Sequence, residues 1–133
     1  MFFKKVSLVT GGFDPIHSGH IAYFERAKDL SDYLVVGLNT NEWLTRKKGQ
    51  YFLPWIERAE IIRHLDMVDA VVSWEDEDDS ACGAIAKCLE ISEKVIFCNG
   101  GKGLLVMNHL DQFEKHQMLE IFFSIDSLLQ ILS

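Results

Sequence analysis

Two histidines three residues apart are the side chains in this sequence best placed to do chemistry. His17 and His20 belong to residues 11–20 (GGFDPIHSGH), which follow an apolar, β-branched run at residues 6–10 (VSLVT). Such a run predicts a buried strand that ends at the glycine pair, and the apolar spacing beyond Ser18 predicts a helix. Residues three apart share one face of a helix, so both rings should project from its first turn.

The start of that predicted helix suits an anion. Its exposed backbone amides and the positive end of its dipole attract phosphate, and two imidazoles add further donors. Gly11 and Gly12 would let the backbone approach a phosphate closely, while Gly19 leaves room beside the rings. A site of this kind suits attack by a phosphate oxygen on the α-phosphorus of a nucleoside triphosphate, because the protein then only aligns reactants and neutralises charge.

The rest of the pattern predicts the frame that positions this segment. Further buried strands are predicted at residues 33–38, 69–74 and 94–98, and helices at 18–30, from Pro54 onward, and at 81–89. We expect a polar loop at 39–52, and Ser18 as the first helix's cap.

Beyond Gly103 the pattern weakens, with a helix at 110–116, a fifth edge strand at 119–125 and a terminal helix at 126–133. The alternation predicts one α/β, Rossmann-like domain over residues 1–133, with a mostly parallel sheet of about five strands and helices on both faces.

The order Gly-x-Phe-Asp-x-x-His-x-Gly-His after a first strand resembles the signature of the cytidylyltransferase-like nucleotidyltransferases. The resemblance extends over residues 5–101. It implies that His17 and His20 contact the triphosphate and stabilise the transition state. It also implies nucleotide contacts in the motif and in the loop after the fourth strand, at Gly11, Gly12, Phe13, Asp14, Gly19, Asn99, Gly100 and Gly101.

Two basic segments add candidates. Residues 46–49 resemble the family's lysine-bearing loop, which implies a nucleotide contact for Lys47 and a catalytic one for Lys48; the alternative is a solvated basic loop. Arg58 resembles an arginine in the family's next helix and would bind nucleotide. Its alternative is a surface ion pair with Glu57 or Glu60.

Within the family, the lysine loop and residues 68–72 (VDAVV) most resemble the nucleotidyltransferase half of bacterial heptose-phosphate enzymes, followed by glycerol-3-phosphate cytidylyltransferases. The implied partners are CTP or ATP and a small phosphorylated sugar or polyol, with Mg²⁺ carried in mostly by the triphosphate. Asp66 stands where the glycerol-phosphate enzymes have an arginine. The resemblance therefore does not decide whether the nucleotide base is cytosine or adenine. Relatives are commonly dimers, so a homodimer is also expected.

The family's late Arg-Thr or Ser-Thr segment has no counterpart here. Residues 103–109 read GLLVMNH, in which His109 is the one candidate phosphate donor. A one-nucleotide frame displacement over residues 102–109 can yield Arg-Thr-Ala-Gly-Asn-Glu-Pro, which resembles that segment in some relatives; the gene's nucleotides would test this hypothesis. The competing reading is a catalytically impaired nucleotide-binding or regulatory module.

Composition and sequence pattern argue against several other classes of protein. The chain has 133 residues, is 48% hydrophobic and carries a net charge of -7, which disfavours a nucleic-acid-binding surface. No apolar run approaches the ~20 residues that span a bilayer. The acidic run at 75–79 is typical of a solvated loop. A metal site formed by Asp14, His17 and His20 is a third reading, although zinc enzymes usually show further ligand pairs.

The cysteines indicate a compartment rather than a site. Cys82, Cys88 and Cys98 form an odd set without a C-x-x-C pair, and the N-terminus has no basic-then-apolar leader. We therefore expect a reducing cytoplasm. Cys88 and Cys98 have apolar neighbours, which is typical of small core residues.

Overall fold

Five strands form one sheet, and the first four of them run parallel. The computed structural model describes residues 2–98 and 104–108. The strands are β1 (Phe3–Gly11), β2 (Tyr33–Leu38), β3 (Ala70–Val72), β4 (Ser92–Cys98) and β5 (Leu104–Asn108). Their order in the sheet is β3-β2-β1-β4-β5. β1 therefore lies at the centre, which places its carboxyl end between those of β2 and β4.

Four helices are described, and they cover both faces of the sheet. They are α1 (Ser18–Lys28), α2 (Asn41–Lys48), α3 (Trp55–Arg63) and α4 (Cys82–Leu89). On one face, α1 and α3 pack on Val9, Val36 and Ile96. On the other, α4 packs on Leu8 and Val35. The predicted α/β domain with helices on both faces is confirmed, and none of the described helices has the length and apolar character needed to cross a membrane.

Successive side chains along the strands contribute alternately to the two hydrophobic cores, one on each face of the sheet. Along β1, Leu8 and Val9 contribute to opposite faces, and along β4 Ile96 and Phe97 do the same. All four side chains are at most 4% exposed. Strands buried on both faces need continuous apolar runs rather than a polar alternation, which is why their positions could be predicted from the sequence.

The loop predicted at residues 39–52 is wrong in its middle part, because α2 occupies Asn41–Lys48. The Thr40 side chain accepts from Trp43 N, Glu42 lies in the first turn, and three basic residues lie in the last. Gly49 ends the helix at φ 88°, a left-handed conformation that favours glycine. Only Leu44 is buried, so the apolar stripe that predicts helices is almost absent here.

The first helix is capped by a different residue from the one predicted. His17, rather than Ser18, is the N-cap of α1, because its ring accepts from Gly19 N while its backbone is extended. The helix also ends two residues earlier than expected, at Lys28. Pro54 likewise precedes α3 as its N-cap instead of opening the first turn.

The C-terminal predictions fall mostly outside the described residues. The strand expected at 119–125 and the helices expected at 110–116 and 126–133 lie there. A fifth strand is described instead at Leu104–Asn108, where it pairs antiparallel with β4. This strand was not predicted, and among the described strands it forms the edge of the sheet next to β4.

Two of the three cysteines, Cys88 and Cys98, are core residues. Cys88 is 2% exposed, Cys98 is fully buried, and burial raises the pKa of each thiol to about 12. A thiol with such a pKa is not a nucleophile at neutral pH. The interpretation of Cys88 and Cys98 as core side chains is confirmed.

Phe24 should be a principal contributor to stability. It is fully buried on α1 in the core that carries the candidate site. Phe24→Ala should lower the free energy of unfolding by about 3–5 kcal/mol, because it leaves a cavity. Urea denaturation measures this change. Ile56→Ala, at a position 72% exposed, is the matched control and should change it by less than about 0.5 kcal/mol; equal losses in both variants would contradict the described core.

Candidate active site

The candidate site lies at the carboxyl edge of the sheet, where the loops after β1 and β2 meet. Gly11 and Leu38 end their strands as register partners. Asn39 N then donates to Gly11 O at 2.9 Å, which holds the two loops together. Open parallel sheets bind ligands at this edge, so the fold brings the predicted motif to the expected place.

His17 and His20 form a reciprocal cap at the start of α1. Gly19 N donates to His17 Nδ1 at 3.1 Å, and His17 N donates to His20 Nδ1 at 3.1 Å. The two rings stack with their centroids 3.8 Å apart. The arrangement is a capping box in which imidazole nitrogens do the work that hydroxyl and carboxylate oxygens usually do.

This cap fixes the tautomer of both rings. A backbone N–H can only donate, so each Nδ1 that receives one carries no proton. The neutral rings therefore hold their protons on Nε2. Two Nε2–H donors then remain for a ligand, at the end of a helix where backbone amides also attract anions.

The ring of Phe13 packs against the ring of His20. Its own ring makes edge-on contacts with His20 and with Phe24, each at 5.0 Å between centroids. Its φ of 46° lies in the left-handed region, which is a strained conformation for an aromatic residue. The contacts of Phe13 are with protein rings, so its described role is to orient His20.

The glycines of the motif make room for these side chains. A Cβ on Gly19 would lie 2.9 Å from His17 Cε1, as the sequence led us to expect. A Cβ on Gly12 would lie 2.6 Å from Leu44 Cδ2, and one on Gly11 would lie 2.8 Å from the Phe13 ring. Their small size therefore allows close packing of α2 and of the aromatic rings around the motif.

Lys48 is the lysine whose side chain reaches the motif at residues 11–20. Its Nζ donates to Asp14 O at 3.2 Å. Burial lowers the pKa of His20, and electrostatic interactions with His17 and Lys48 lower it further. The neutral form of His20 is therefore favoured near pH 7.

Lys47 faces the acidic loop instead. Its Nζ lies 3.3 Å from Asp79 Oδ2, and Arg46 Nη2 lies 3.5 Å from Asp79 Oδ1. Successive helix residues are about 100° apart, so Lys47 and Lys48 point to different neighbours. The nucleotide contact predicted for Lys47 stays a prediction, and the structure gives this side chain a partner on the far side of α2.

Asp14 anchors the loop that follows α2. The carboxylate is 9% exposed and accepts from Phe52 N at 2.5 Å and from Leu53 N at 2.8 Å. Its lone pairs are therefore directed at backbone amides. Within residues 2–98 and 104–108, no three His, Cys, Asp or Glu side chains are grouped as metal ligands would be.

Arg58 is the most heavily bonded side chain near the site. It is 1% exposed, and burial lowers the pKa of its guanidinium. Its four described bonds, all of 2.8 or 2.9 Å, go to Leu53 O, Gly12 O, Asn39 O and Asn41 Oδ1. They join the loops after β1, β2 and α2 to α3, so Arg58 is a positioning residue in the structure described here.

The alternative of a surface ion pair for Arg58 is wrong. Glu60 instead pairs with Arg63 at 2.7 Å on the exposed side of α3. Arg58 lies one position before the buried Ala59, and its four acceptors come from other segments of the chain. A local reading of the sequence could not have identified those partners.

Sequence reasoning missed Asp76. This buried carboxylate lies in the acidic run and accepts from Asn39 Nδ2, Thr40 N and Thr40 Oγ1 at 2.8–3.0 Å. It ties the β3–α4 segment to the start of α2. The rest of the run is largely exposed, as predicted, and nothing in its composition distinguishes Asp76 from its neighbours.

Asn99, Gly100 and Gly101 lie outside the described residues. The end of β4 just before them is held by Tyr23, whose hydroxyl donates to Cys98 O at 2.6 Å. Their predicted nucleotide contacts stay predictions.

Comparison with known proteins identifies the family of the chain. A family model described as cytidylyltransferase-like matches residues 8–121. The chain belongs to the cytidylyltransferase-like family. The family predicted from the Gly11 to His20 motif is thereby confirmed, and the matched range includes every described residue of the candidate site.

Individual relatives match shorter stretches. The bifunctional protein HldE of Citrifermentans bemidjiense is 42% identical over 76 residues, which cover 56% of this chain and 16% of that protein. HldE of Pelobacter propionicus is 40% identical over 77 residues, with the same coverage of 56% and 16%. The chain thus matches a small part of these family members. A lipopolysaccharide core biosynthesis protein from Thermoplasma volcanium has a solved structure with 28% identity and a TM-score of 0.53, covering 67% of this chain and 68% of its own.

Replacing Arg58 tests its role as the connection between loops. Lysine has a single ammonium that cannot reach four separated acceptors. Arg58→Lys should therefore lower the free energy of unfolding by about 2–4 kcal/mol, measured by urea denaturation. Arg63→Lys is the matched control on the exposed side of the same helix and should leave the value within error. A stable Arg58→Lys protein would contradict the assignment.

The His20 cap predicts a specific pH dependence. Because its pKa is lowered in the folded protein, the unfolded chain takes up this proton first as the pH falls below about 6.5. Protonation also removes the Nδ1 acceptor. The free energy of unfolding should therefore fall between pH 7 and pH 5, and less steeply in His20→Gln, whose amide caps without titrating. Denaturation at several pH values measures both slopes; equal slopes would count against this role.

Proposed function

We propose that this domain transfers a nucleoside monophosphate from CTP or ATP to a small phosphorylated sugar or polyol and releases pyrophosphate. The observation that carries the proposal is the reciprocal cap of His17 and His20, which leaves two Nε2–H donors at a helix N-terminus. The Lys48 ammonium reaches the same motif, where it donates to Asp14 O. These groups suit the charge that grows on phosphate oxygens during such a transfer.

The reaction needs no protein nucleophile. An oxygen of the acceptor phosphate attacks the α-phosphorus, a new P–O bond forms, and the bond to the α–β bridging oxygen breaks as pyrophosphate leaves. His17 and His20 would donate from Nε2 to the triphosphate, and Lys48 would neutralise charge. Their contribution is alignment and electrostatic stabilisation, which carry most of the catalysis in phosphoryl transfer.

The donor set also bears on the expected Mg²⁺. Imidazole and ammonium groups do not suit this cation, which prefers oxygen ligands and retains several waters. The carboxylate of Asp14 is occupied by backbone amides. We therefore propose that Mg²⁺ enters with the triphosphate, where it neutralises phosphate charge, while the protein binds the nucleotide through His17, His20 and Lys48.

The acceptor class rests on resemblance. The residues that resemble the heptose-phosphate enzymes, and the similarity to HldE proteins and to a lipopolysaccharide core biosynthesis protein, support a sugar-type acceptor. Because the chain matches 16% of the HldE proteins, their full activity is not transferred to it. Coupled assays of pyrophosphate release with CTP or ATP and a panel of sugar, polyol and amino-alcohol phosphates would identify both substrates.

Three variants test the proposed roles together. Asparagine is a good N-cap, so His17→Asn keeps the cap but removes the Nε2 donor. It should fold normally, as judged by circular dichroism, and lose at least about 100-fold in kcat. Lys48→Ala should lose a similar factor. Lys47→Ala is its matched control, because Lys47 pairs with Asp79, and should lose less than about fivefold in kcat.

The same assay can refute the proposal. Unchanged pyrophosphate release in His17→Asn and Lys48→Ala would exclude the assigned roles. Nucleotide binding by the unmodified chain without pyrophosphate release for any acceptor would indicate a binding module instead of an enzyme.

A further inference from the structure

A two-residue connection sets where α2 begins. Only Asn39 and Thr40 lie between the end of β2 at Leu38 and the start of α2 at Asn41. Asp76 binds both of them: its Oδ2 accepts from Asn39 Nδ2 at 3.0 Å and from Thr40 N at 2.9 Å, and its Oδ1 accepts from Thr40 Oγ1 at 2.8 Å. A carboxylate from the β3–α4 segment therefore holds the whole connection between β2 and α2.

The same residue also holds the body of the helix. Arg46 Nη2 donates to Asp76 O at 2.9 Å, about one and a half turns beyond Thr40. Thr40 Oγ1, while it donates to Asp76, accepts from Trp43 N and so caps the helix. Asp76 thus fixes the backbone before α2, its cap and one of its long side chains.

The helix α2 depends on such contacts because it has little apolar anchorage. Leu44 is its only buried residue, and it packs against Gly12 of the motif. At the end of α2, Lys48 Nζ donates to Asp14 O at 3.2 Å. A helix of eight residues is a nearly rigid rod about 12 Å long, so a shift at its start displaces the lysine at its end.

We propose that Asp76 is a positioning residue for the transfer reaction and acts by holding α2 where Lys48 reaches the motif at residues 11–20. This inference rests on the proposed function, because Lys48 has its catalytic role only there. Asp76 is 2% exposed, and its three described side-chain bonds go to protein donors, so it acts through α2 rather than on a substrate. The role requires its hydrogen bonds rather than its charge.

The kinetics of pyrophosphate release test this role. Asp76→Ala removes all three bonds and should lower kcat about 10- to 100-fold, the loss expected when a reacting group is displaced by about 1 Å, while the KM for the triphosphate changes less than about threefold. Asp76→Asn should recover most of the rate, because its amide oxygen can serve the two N–H donors and its NH₂ group can donate to the Thr40 hydroxyl. Glu77→Ala is the matched control at an exposed position of the same acidic run and should leave both constants within about twofold.

A double-mutant cycle separates the positioning of Lys48 from a general loss of structure. In a Lys48→Ala background, Asp76→Ala should lower kcat by less than a further factor of about two, because the group that it positions is already gone. Losses that multiply would show that Asp76 does not act through Lys48 and would overturn the proposal. An unchanged kcat in Asp76→Ala, or an equal loss in Asp76→Asn, would overturn it as well.

A milder pair of variants covers the case in which Asp76→Ala does not fold, as judged by circular dichroism, since it leaves buried donors unpaired. Thr40→Val removes only the hydroxyl that joins Asp76 to the helix cap, and Thr40→Ser retains it. Thr40→Val should lower kcat at least about threefold when Lys48 is present and not in the Lys48→Ala background, and Thr40→Ser should restore the rate. Equal rates in Thr40→Val and Thr40→Ser would exclude the proposal.

A readout independent of activity distinguishes failure of this inference from failure of the proposed function. If the unmodified chain releases no pyrophosphate, the proposed function fails, and NMR titration of His20 decides the positioning by itself. Burial, His17 and Lys48 all lower the pKa of His20. Displacing Lys48 should therefore raise this pKa in Asp76→Ala, as in Lys48→Ala, whereas loss of the Asp76 charge alone would lower it. A raised pKa supports the positioning of Lys48; an unchanged or lowered one excludes it. Thr40→Val replaces Asp76→Ala in this titration if the latter does not fold.

Discussion

The buried guanidinium of Arg58 is the constraint on which the carboxyl edge of this domain depends. A charge removed from water is costly unless each of its donors finds a partner, and Arg58 finds backbone carbonyl oxygens from three loops and an amide oxygen from the start of α2. Burial lowers the pKa of Arg58, and the charges of two buried carboxylates, Asp14 and Asp76, oppose this effect in part. Each carboxylate also binds backbone amides of the same loops. Arg58 can therefore satisfy its donors only when the loops are correctly arranged.

The histidine pair depends on this framework in turn. Capping occupies the Nδ1 atoms of His17 and His20, so the local stability of α1 and the tautomers offered to a ligand come from the same two bonds. Phe13 packs against His20, while Asp14, the next residue, holds the Phe52 segment. One short motif thus connects the helix start, the aromatic support and the segment that follows α2.

The sequence predicted the features that arise from local patterns. The four parallel strands followed from apolar runs, and the motif identified the family because its residues stand in order after β1. The helix α2 was missed because only Leu44 is buried, although Thr40 and Gly49 are capping signals. The roles of Arg58 and Asp76 could not be predicted, because their partners lie up to 46 residues away and only the folded sheet brings them together.

The shape of β3 has a consequence for the protein in concentrated solution. Within the described residues, β3 forms one edge of the sheet, and it consists of only three residues paired with β2. Asp69, just before it, accepts from Leu34 N and pairs with Lys28, so charged groups border the edge. A strand this short, flanked by charge, offers few free backbone groups to another chain, and the sheet is thereby protected from edge-to-edge aggregation on that side.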